Sequence, residues 1–578
     1  MNTIKMKQIF LVSSLLLLFT ITSCDKRPSS QPAASGETMS GLHPYVTAGD
    51  PNIGRAFRIA SGDIASNVVP LPAMASILTP VSEKRWDDLS ARVVEIAGTS
   101  EIIPERVSFL IAGLDYGIYQ FDVMMQAWDG ASFLEPDALK GTLLATLVMD
   151  KDRNIRSGDF ITGSGGWALG AWSHYLCTGD RPFLKVALEA TLGAIDFYEH
   201  NEFDGKLNLF RGPAVLCDGI SSYPDVWLES MKGIGHIVKW PEHHPDKKSP
   251  IGLGLPMHAL STNCINYKAY LLAAQMQQEL GLPVDTALLA KAERLKVAIN
   301  KHFWREDAGT YRYLLDTFGG SDQQEGFGNS FAILFGIASP EQSSRILSNM
   351  HITPQGIPIN WPVYPRYASP DGTTFGNHNA TIWPPVSGVW ADAAAAEGHV
   401  DLFSLELKKA ADRACRDNQF AEIYHPVTGE VYGGIQEGRT ARGGAAIKTF
   451  IEARLGGSGE PTPENLEKLF PAVKGKEGIN LWQSCGRNTF SSTSYLRMLL
   501  HGLCGIKLET DGITFQPTVP AGMSPVAVYE LPYRQAELEI HITGEGQKVS
   551  KMTVNGQETS NIPTTAKGKQ VVEIQMGG

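Results

Sequence analysis

Residues 161–200 read ITGSGGWALGAWSHYLCTGDRPFLKVALEATLGAIDFYEH, and they decide the fold class. Ile161–Leu176 is helical text, the run TGDRP at 178–182 breaks it, and Leu184, Leu188, Thr191/Leu192, Ile195 and Tyr198 then recur at helical spacing. The spacing predicts two helices joined by a short turn. The same grammar returns over Thr262–Leu280, a Gly-Leu-Pro break, and Leu288/Leu289, Ala292, Leu295, Ile299 and Phe303. It appears again over Thr381–Ala396, followed by Leu402/Phe403 to Ala414. No strict sequence repeat accompanies it. Repeated antiparallel hairpins close either as a superhelix or as a ring with an inner and an outer layer of helices.

The turns between these helices are unequal. Loops over 205–260, 305–325, 351–380 and 416–442 are long, aromatic and Gly-rich, as expected when one face of a rigid scaffold carries function. Beyond Leu503-Cys504-Gly505 the period changes to two: Ala536–Ile542 alternates, Asn555-Gly556 is a hairpin turn, and Gln570–Met576 can pair again. The expected organisation is a signal segment over 1–23, a tether over 24–41, a helical domain over 42–505 and a small antiparallel β-domain over 506–578.

The N-terminal segments rest on composition. Lys5 and Lys7 precede an apolar run from Ile9 to Ile21, too short for a mature membrane span and typical of a secretory signal. The run ends in Ile21-Thr22-Ser23-Cys24, which resembles a bacterial lipobox and makes Cys24 the expected lipid carrier. Residues 25–40, rich in Pro, Ser, Ala and Gly, read as a flexible tether. The expected location is therefore lipid-anchored, in the periplasm or at the outer membrane or cell surface of a Gram-negative bacterium, with the lipid as the sole membrane contact.

With 43% hydrophobic and 19% charged residues in 578, the chain is globular and can bury a large core. Loss of Lys5 and Lys7 with the signal takes the formal charge from −11 to −13, which argues against nucleic acid as a partner. Six further cysteines, at 177, 217, 264, 415, 485 and 504, include no CxxC pair and lie partly in apolar helical text. Buried free thiols are expected rather than disulfides or a zinc site. No phosphate-binding loop, dinucleotide fingerprint or serine nucleophile elbow occurs, and no cofactor or metal is expected.

Three stretches could carry chemistry. In NQFAEIYHPVTGEVYGG, 418–434, Glu422 is a carboxylate set among Phe420, Ala421, Ile423 and Tyr424, just before a turn; alone it reads as a surface glutamate. In LNLFRGPAVLCDGISSYPDVW, 207–227, Asp218 and Asp225 are flanked by Arg211, Tyr223 and Trp227. Without context that stretch reads as a plain turn and a helix start, but its aromatic density shifts the reading, because flat apolar faces mixed with acids are what a sugar site needs. In GNHNATIWPPVSGVW, 376–390, His378 and Asn379 precede a helix with Trp383 and Trp390 on one face, Trp383 being the better ligand candidate.

The segments GNHNATIWPPVSGVWADAAA, NQFAEIYHPVTGE and NTFSSTSYLRMLLHGLCGI followed by DGITFQPTVP resemble the six-hairpin glycoside hydrolases, in particular the mannosylglycerate hydrolase and processing α-glucosidase group. Glucoamylases and α-rhamnosidases are more distant. The resemblance spans roughly residues 45–575 and implies a mainly α fold, an (α/α)6 toroid with a small C-terminal β-domain. It implies that Glu422 is the general base. It implies Asp218 as general acid, although Cys217 stands where the group has Trp, so Asp225 remains a rival. Asp122, in YQFDVMMQAWDG, would hold hydroxyls of the terminal sugar, whereas Glu437 reads as a partner of Arg439 or Arg442.

An inverting glycosidase sets its acid and base carboxyls roughly 6.5–9.5 Å apart. That suits residues on separate loops. The apolar Val215, Leu216 and Cys217 would favour the protonated acid, and the Tyr424–Gly429 side of Glu422 would stay wet. The implied activity is exo-acting and inverting, an α-glycosidase of α-glucosidase type on an oligosaccharide or glycoside. Two other readings share the scaffold: a non-catalytic glycan-binding lipoprotein, and a sugar epimerase or unsaturated-uronide hydrolase. An epimerase would need a His pair, and His243-His244, in PEHHPDKK, reads as solvated.

Overall fold

The hairpin forms in a computed structural model that describes residues 44–577 apart from 72–81, 114–115, 159–164, 229–235, 251, 370–371, most of 438–478, and 482–483. Cys24, the signal and the tether thus lie outside the described residues, as do the arginines expected to pair with Glu437. Helices are labelled α1 Pro51–Ser66, α2 Glu83–Ala97, α3 Gln120–Trp128, α4 Pro136–Ala145, α5 Gly165–Thr178, α6 Arg181–Glu202 and α7 Leu260–Glu279. After these come α8 Thr286–Phe303, α9 Gly326–Leu334, α10 Pro340–Asn349, α11 Pro384–Ala396, α12 Val400–Asp417 and α13 Thr489–Arg497. The α5–α6 turn is made by Gly179 in the left-handed region (φ 73) and by Asp180, whose side chain accepts from Phe183 N at 2.9 Å and caps α6.

The two halves of that hairpin differ in burial. Every residue of α5 except Thr178 is buried, whereas α6 buries one face only. A helix apolar all round must be enclosed by others. It is: α3 packs on α5, α5 on α7, α7 on α9, α9 on α11, α11 on α13, and α13 returns to α3. Outside this closed ring of six lie α6 on α5 and α7, α8 on α7, α10 on α9, α12 on α11, and α1 on α12 and α13. The architecture is an α/α toroid. Because short turns reverse each pair, the inner helices run in one direction, and the long loops that precede them gather on one face.

One helix start differs from expectation. α11 begins at Pro384, not Thr381, because a residue before proline is pushed out of the helical region and Pro384-Pro385 fits only a first turn. Trp383 is accordingly the cap residue in extended backbone. The ring is tied by a buried triad: Arg497 of α13 meets Asp129, which ends α3, at 3.3 Å and Asp392 of α11 at 2.5 Å. Arg497 and Lys507 hold the Asp392 carboxyl far below the usual range against the opposing effect of burial.

The β-region is a correction to the expected antiparallel domain. Its strands are β1 Tyr45–Thr47, β2 Ile506–Glu509, β3 Gly512–Phe515, β4 Val526–Tyr533, β5 Gln535–Thr543, β6 Lys548–Val554, β7 Gln557–Glu558, β8 Asn561–Pro563 and β9 Lys567–Gly577. One sheet has the order β1-β4-β5-β9-β6-β7 and the other β2-β3-β8. β5 runs parallel to β9, so the larger sheet is mixed, and β1 joins it from the start of the described chain. The alternation in β5 buries Ala536, Leu538, Ile540 and Ile542. The expected turn is present, with Asn555 and Gly556 both at positive φ between β6 and β7. The six described cysteines are free thiols, and no described helix is long and apolar enough to cross a membrane.

Candidate active site

The loop ahead of α7 is built to present Asp218. Val215 N donates to Ser261 Oγ at 2.9 Å, and Tyr223 Oη accepts from Ala214 N and donates to Cys217 O at 2.7 Å. Val215, Leu216 and Cys217 are buried, with Leu216 in the left-handed region at φ 60, an unusual position for a branched residue. Burial pushes the Cys217 thiol up to about 12. The Asp218 side chain emerges 37% exposed, more open than the apolar neighbours suggested. Its Oδ2 lies 3.2 Å from His236 Nε2, and its Oδ1 lies 3.7 Å from His378 Nδ1. His236 is held there by backbone: Gly219 and His236 form a β-bridge and Ile237 N donates to Asp218 O at 2.8 Å.

The segment 376–383 connects this carboxylate with the other one. At its start, His378 Nδ1 accepts from Gly219 N at 3.2 Å, and the ring meets Trp383 edge-on at 4.6 Å. At its end, Ile382 and Tyr424 exchange backbone hydrogen bonds of 3.0 and 2.9 Å. Glu422 sits two residues before Tyr424. It is half-buried between the fully buried Ala421 and Ile423, so it is no surface edge residue. Its Oε2 accepts from Tyr116 Oη at 2.8 Å and from Cys485 N at 3.0 Å, while Glu422 N donates to Cys485 O. Tyr424, His425 and Pro426 are buried, and exposure begins only at Val427. The following side of Glu422 is therefore drier than expected.

Other expected ligands are placed differently. Tyr223 and Asn379 are fully buried and serve the loops themselves: Asn379 Oδ1 accepts from Tyr364 N at 2.7 Å and its Nδ2 donates to Asn360 Oδ1 at 2.7 Å. Asp225 meets the guanidinium of Arg366, a side chain 1% exposed that also donates to Ile220 O and Ser221 O. Arg211 pairs with Asp204 at 2.7 Å, and its Nη1 is buried without a partner. Asp122 lies half-buried in the first turn of α3, at the same end of the ring. Trp383 is buried in the core cluster, its indole nitrogen unpartnered, and Trp390 is fully enclosed. Of the histidine pair, His243 is exposed as expected, whereas His244 is half-buried and stacks on Trp240 at 4.3 Å and 14°.

Sequence reasoning missed three residues here, His236, Tyr116 and Arg366. None stands in a recognisable motif; Tyr116 and Arg366 reach their carboxylates from distant segments, while His236 folds back on Asp218 within the same long loop. Glu325, which caps α9, also escaped notice; it is fully buried, accepts from Ser261 N, and burial pushes it up to about 8. Among the described residues no group of three His, Cys, Asp or Glu side chains could hold a metal ion.

Known proteins share this scaffold. The chain aligns by structure with a rhamnosidase of glycoside hydrolase family 78 from Bacillus sp. GL1 at a TM-score of 0.51 and 12% identity, over 92% of this chain and 44% of that one. A sialidase aligns at a TM-score of 0.52 and 12% identity, over 92% and 43%. At that identity the likeness concerns the fold. A family 63 mannosylglycerate hydrolase from Thermus thermophilus, solved with glucose, aligns at 0.46 and 14%, over 60% of this chain and 96% of that one. No curated protein matches the sequence. The sequence model of the mannosylglycerate hydrolase MGH1-like glycoside hydrolase domain matches residues 122–441, a span that holds Asp122, Asp218, His378 and Glu422 and exceeds half of the chain. The protein belongs to that family of MGH1-like glycoside hydrolases.

Proposed function

We propose that this glycoside hydrolase is an exo-acting, inverting α-glycosidase, α-glucosidase-like in specificity, acting on an oligosaccharide or glycoside. One observation carries the reading: two carboxylates, Asp218 and Glu422, stand on separate loops at the two ends of segment 376–383, and Glu422 is gripped by two strong donors, Tyr116 Oη and Cys485 N. Hydrogen bonds donated to a carboxylate favour its charged form, the form that accepts a proton from water. Asp218, with an imidazole facing each of its oxygens, suits the acid. It would protonate the glycosidic oxygen as the C–O bond breaks. Glu422 would deprotonate the water that adds to the anomeric carbon from the opposite ring face. Asp225 fits the acid less well, being ion-paired to Arg366.

The test is proton NMR of the first-formed sugar during hydrolysis of an aryl α-glucoside by the full chain. The expected product has inverted anomeric configuration, and no glycosyl-enzyme adduct accumulates. Retention of configuration would overturn the mechanism.

A further inference from the structure

The hydrogen bonds around the imidazole against Asp218 select one tautomer of its neutral ring, and this bears on the acid. His236 Nδ1 accepts from Val238 N at 3.4 Å, an acceptor role that a protonated Nδ1 cannot fill. A neutral ring must then carry its proton on Nε2, and Nε2 is the atom 3.2 Å from Asp218 Oδ2. The orientation is not left to the side chain alone. The bridge between Gly219 and His236, with Ile237 N on Asp218 O, fixes the two backbones side by side. The second ring behaves alike: His378 Nδ1 is occupied by Gly219 N at 3.2 Å, and its 3.7 Å approach to Oδ1 is too long for a hydrogen bond.

We propose that His236 is a positioning residue for the acid, donating Nε2–H to Asp218 Oδ2. This rests on the reading of Asp218 as general acid. With Oδ2 accepting from His236, the carboxyl proton resides on Oδ1. When that proton passes to the glycosidic oxygen, the electron pair of its O–H bond stays on Asp218, and the hydrogen bond from His236 strengthens as the carboxylate forms. A neutral donor does this without a full positive charge beside the acid, which would hold Asp218 ionised before the reaction. The interaction thus gains in the transition state, the condition for raising kcat rather than lowering KM.

The experiment compares an unactivated disaccharide with a glycosyl fluoride, whose leaving group needs little protonation. For His236→Ala, kcat on the disaccharide is expected to fall roughly 10- to 100-fold, in line with one hydrogen bond to a charged group, with KM little changed. Activity on the fluoride should fall far less. His236→Gln, which retains an N–H donor, should restore most of the loss. An equal loss on both substrates, or none, overturns the proposal. Asp218→Asn is run beside it: if that variant lacks the same selectivity, the acid assignment itself fails, whereas selectivity in Asp218→Asn alone sinks only the role of His236. Should His236→Ala not fold, nitrogen-15 NMR of histidine-labelled wild-type chain reads the tautomer directly. An unprotonated Nδ1 with a protonated Nε2 is expected, and the reverse tautomer overturns the inference.

Discussion

At the residue scale, two acids of similar appearance in one loop, Asp218 and Asp225, are separated by their partners. Arg366 is buried, so its charge requires a counter-ion, and Asp225 supplies it while the same guanidinium pins the carbonyls of Ile220 and Ser221. Asp225 thereby shapes the loop that presents Asp218. Glu422 has its own fixed place, since both donors act on one oxygen. In Glu422→Gln the amide oxygen can occupy that position and keep both bonds. The variant should fold and bind normally while kcat falls by about 10²–10⁴-fold, the usual contribution of a general base. The comparison of kcat with the melting curve checks this. Wild-type turnover in a folded variant would reduce Glu422 to a structural group.

At the element scale, the closed ring depends on how closely the inner helices approach. Gly170 of α5 faces α3: a Cβ built there would stand 2.6 Å from Met124 O and 3.0 Å from Met124 Cα. Those atoms are backbone and cannot yield without moving the helix. Gly170→Ala should therefore destabilise by about 1–3 kcal/mol through overpacking, despite alanine's better helix propensity. Thermal or denaturant unfolding measures it. Stabilisation instead would mean that α3 and α5 are not in tight contact. The same economy of space explains why α5 and α11 are rich in small residues and α6, α8 and α12 are not.

At the scale of the whole molecule, burial of acids in the toroid sets the response to pH. Glu325 is pushed up to about 8, Asp129, Glu202 and Glu406 to about 7, and Asp63 to about 6, in each case chiefly by burial. Each holds its proton more tightly folded than unfolded. The stability they contribute is full below the ordinary carboxylate pKa and is lost as pH rises through the folded values. His174, His258 and His501, lowered to about 4 by burial, act oppositely and weaken the fold as pH drops below the ordinary histidine range. A maximum between these limits is expected. Glu325→Gln, which cannot titrate, should lose less stability than wild type between about pH 5 and 8. Melting temperatures across that range check it, and an unchanged slope would show that Glu325 is not protonated in the fold.

The hairpins, the change of period after Gly505 and the Asn-Gly turn were legible in the chain itself, because helical spacing and turn chemistry are local properties; the stretch around Glu422 stood out as a candidate for the same reason, its motif being contiguous. Even there, Pro384-Pro385 moved a helix start that periodicity placed at Thr381. What only the tertiary structure decided is non-local. Closure of six inner helices into a ring turns on α13 meeting α3, where Arg497 and Trp128 touch across 369 residues of chain. The joining of β1 to a C-terminal sheet and the parallel β5–β9 pair depend on backbone hydrogen bonds that leave no period in the text. The same holds for the site. An acid's surroundings are set by what packs against it, and Tyr116 and Arg366 reach their carboxylates across 306 and 141 residues of chain, so these contacts exist only once the chain has folded.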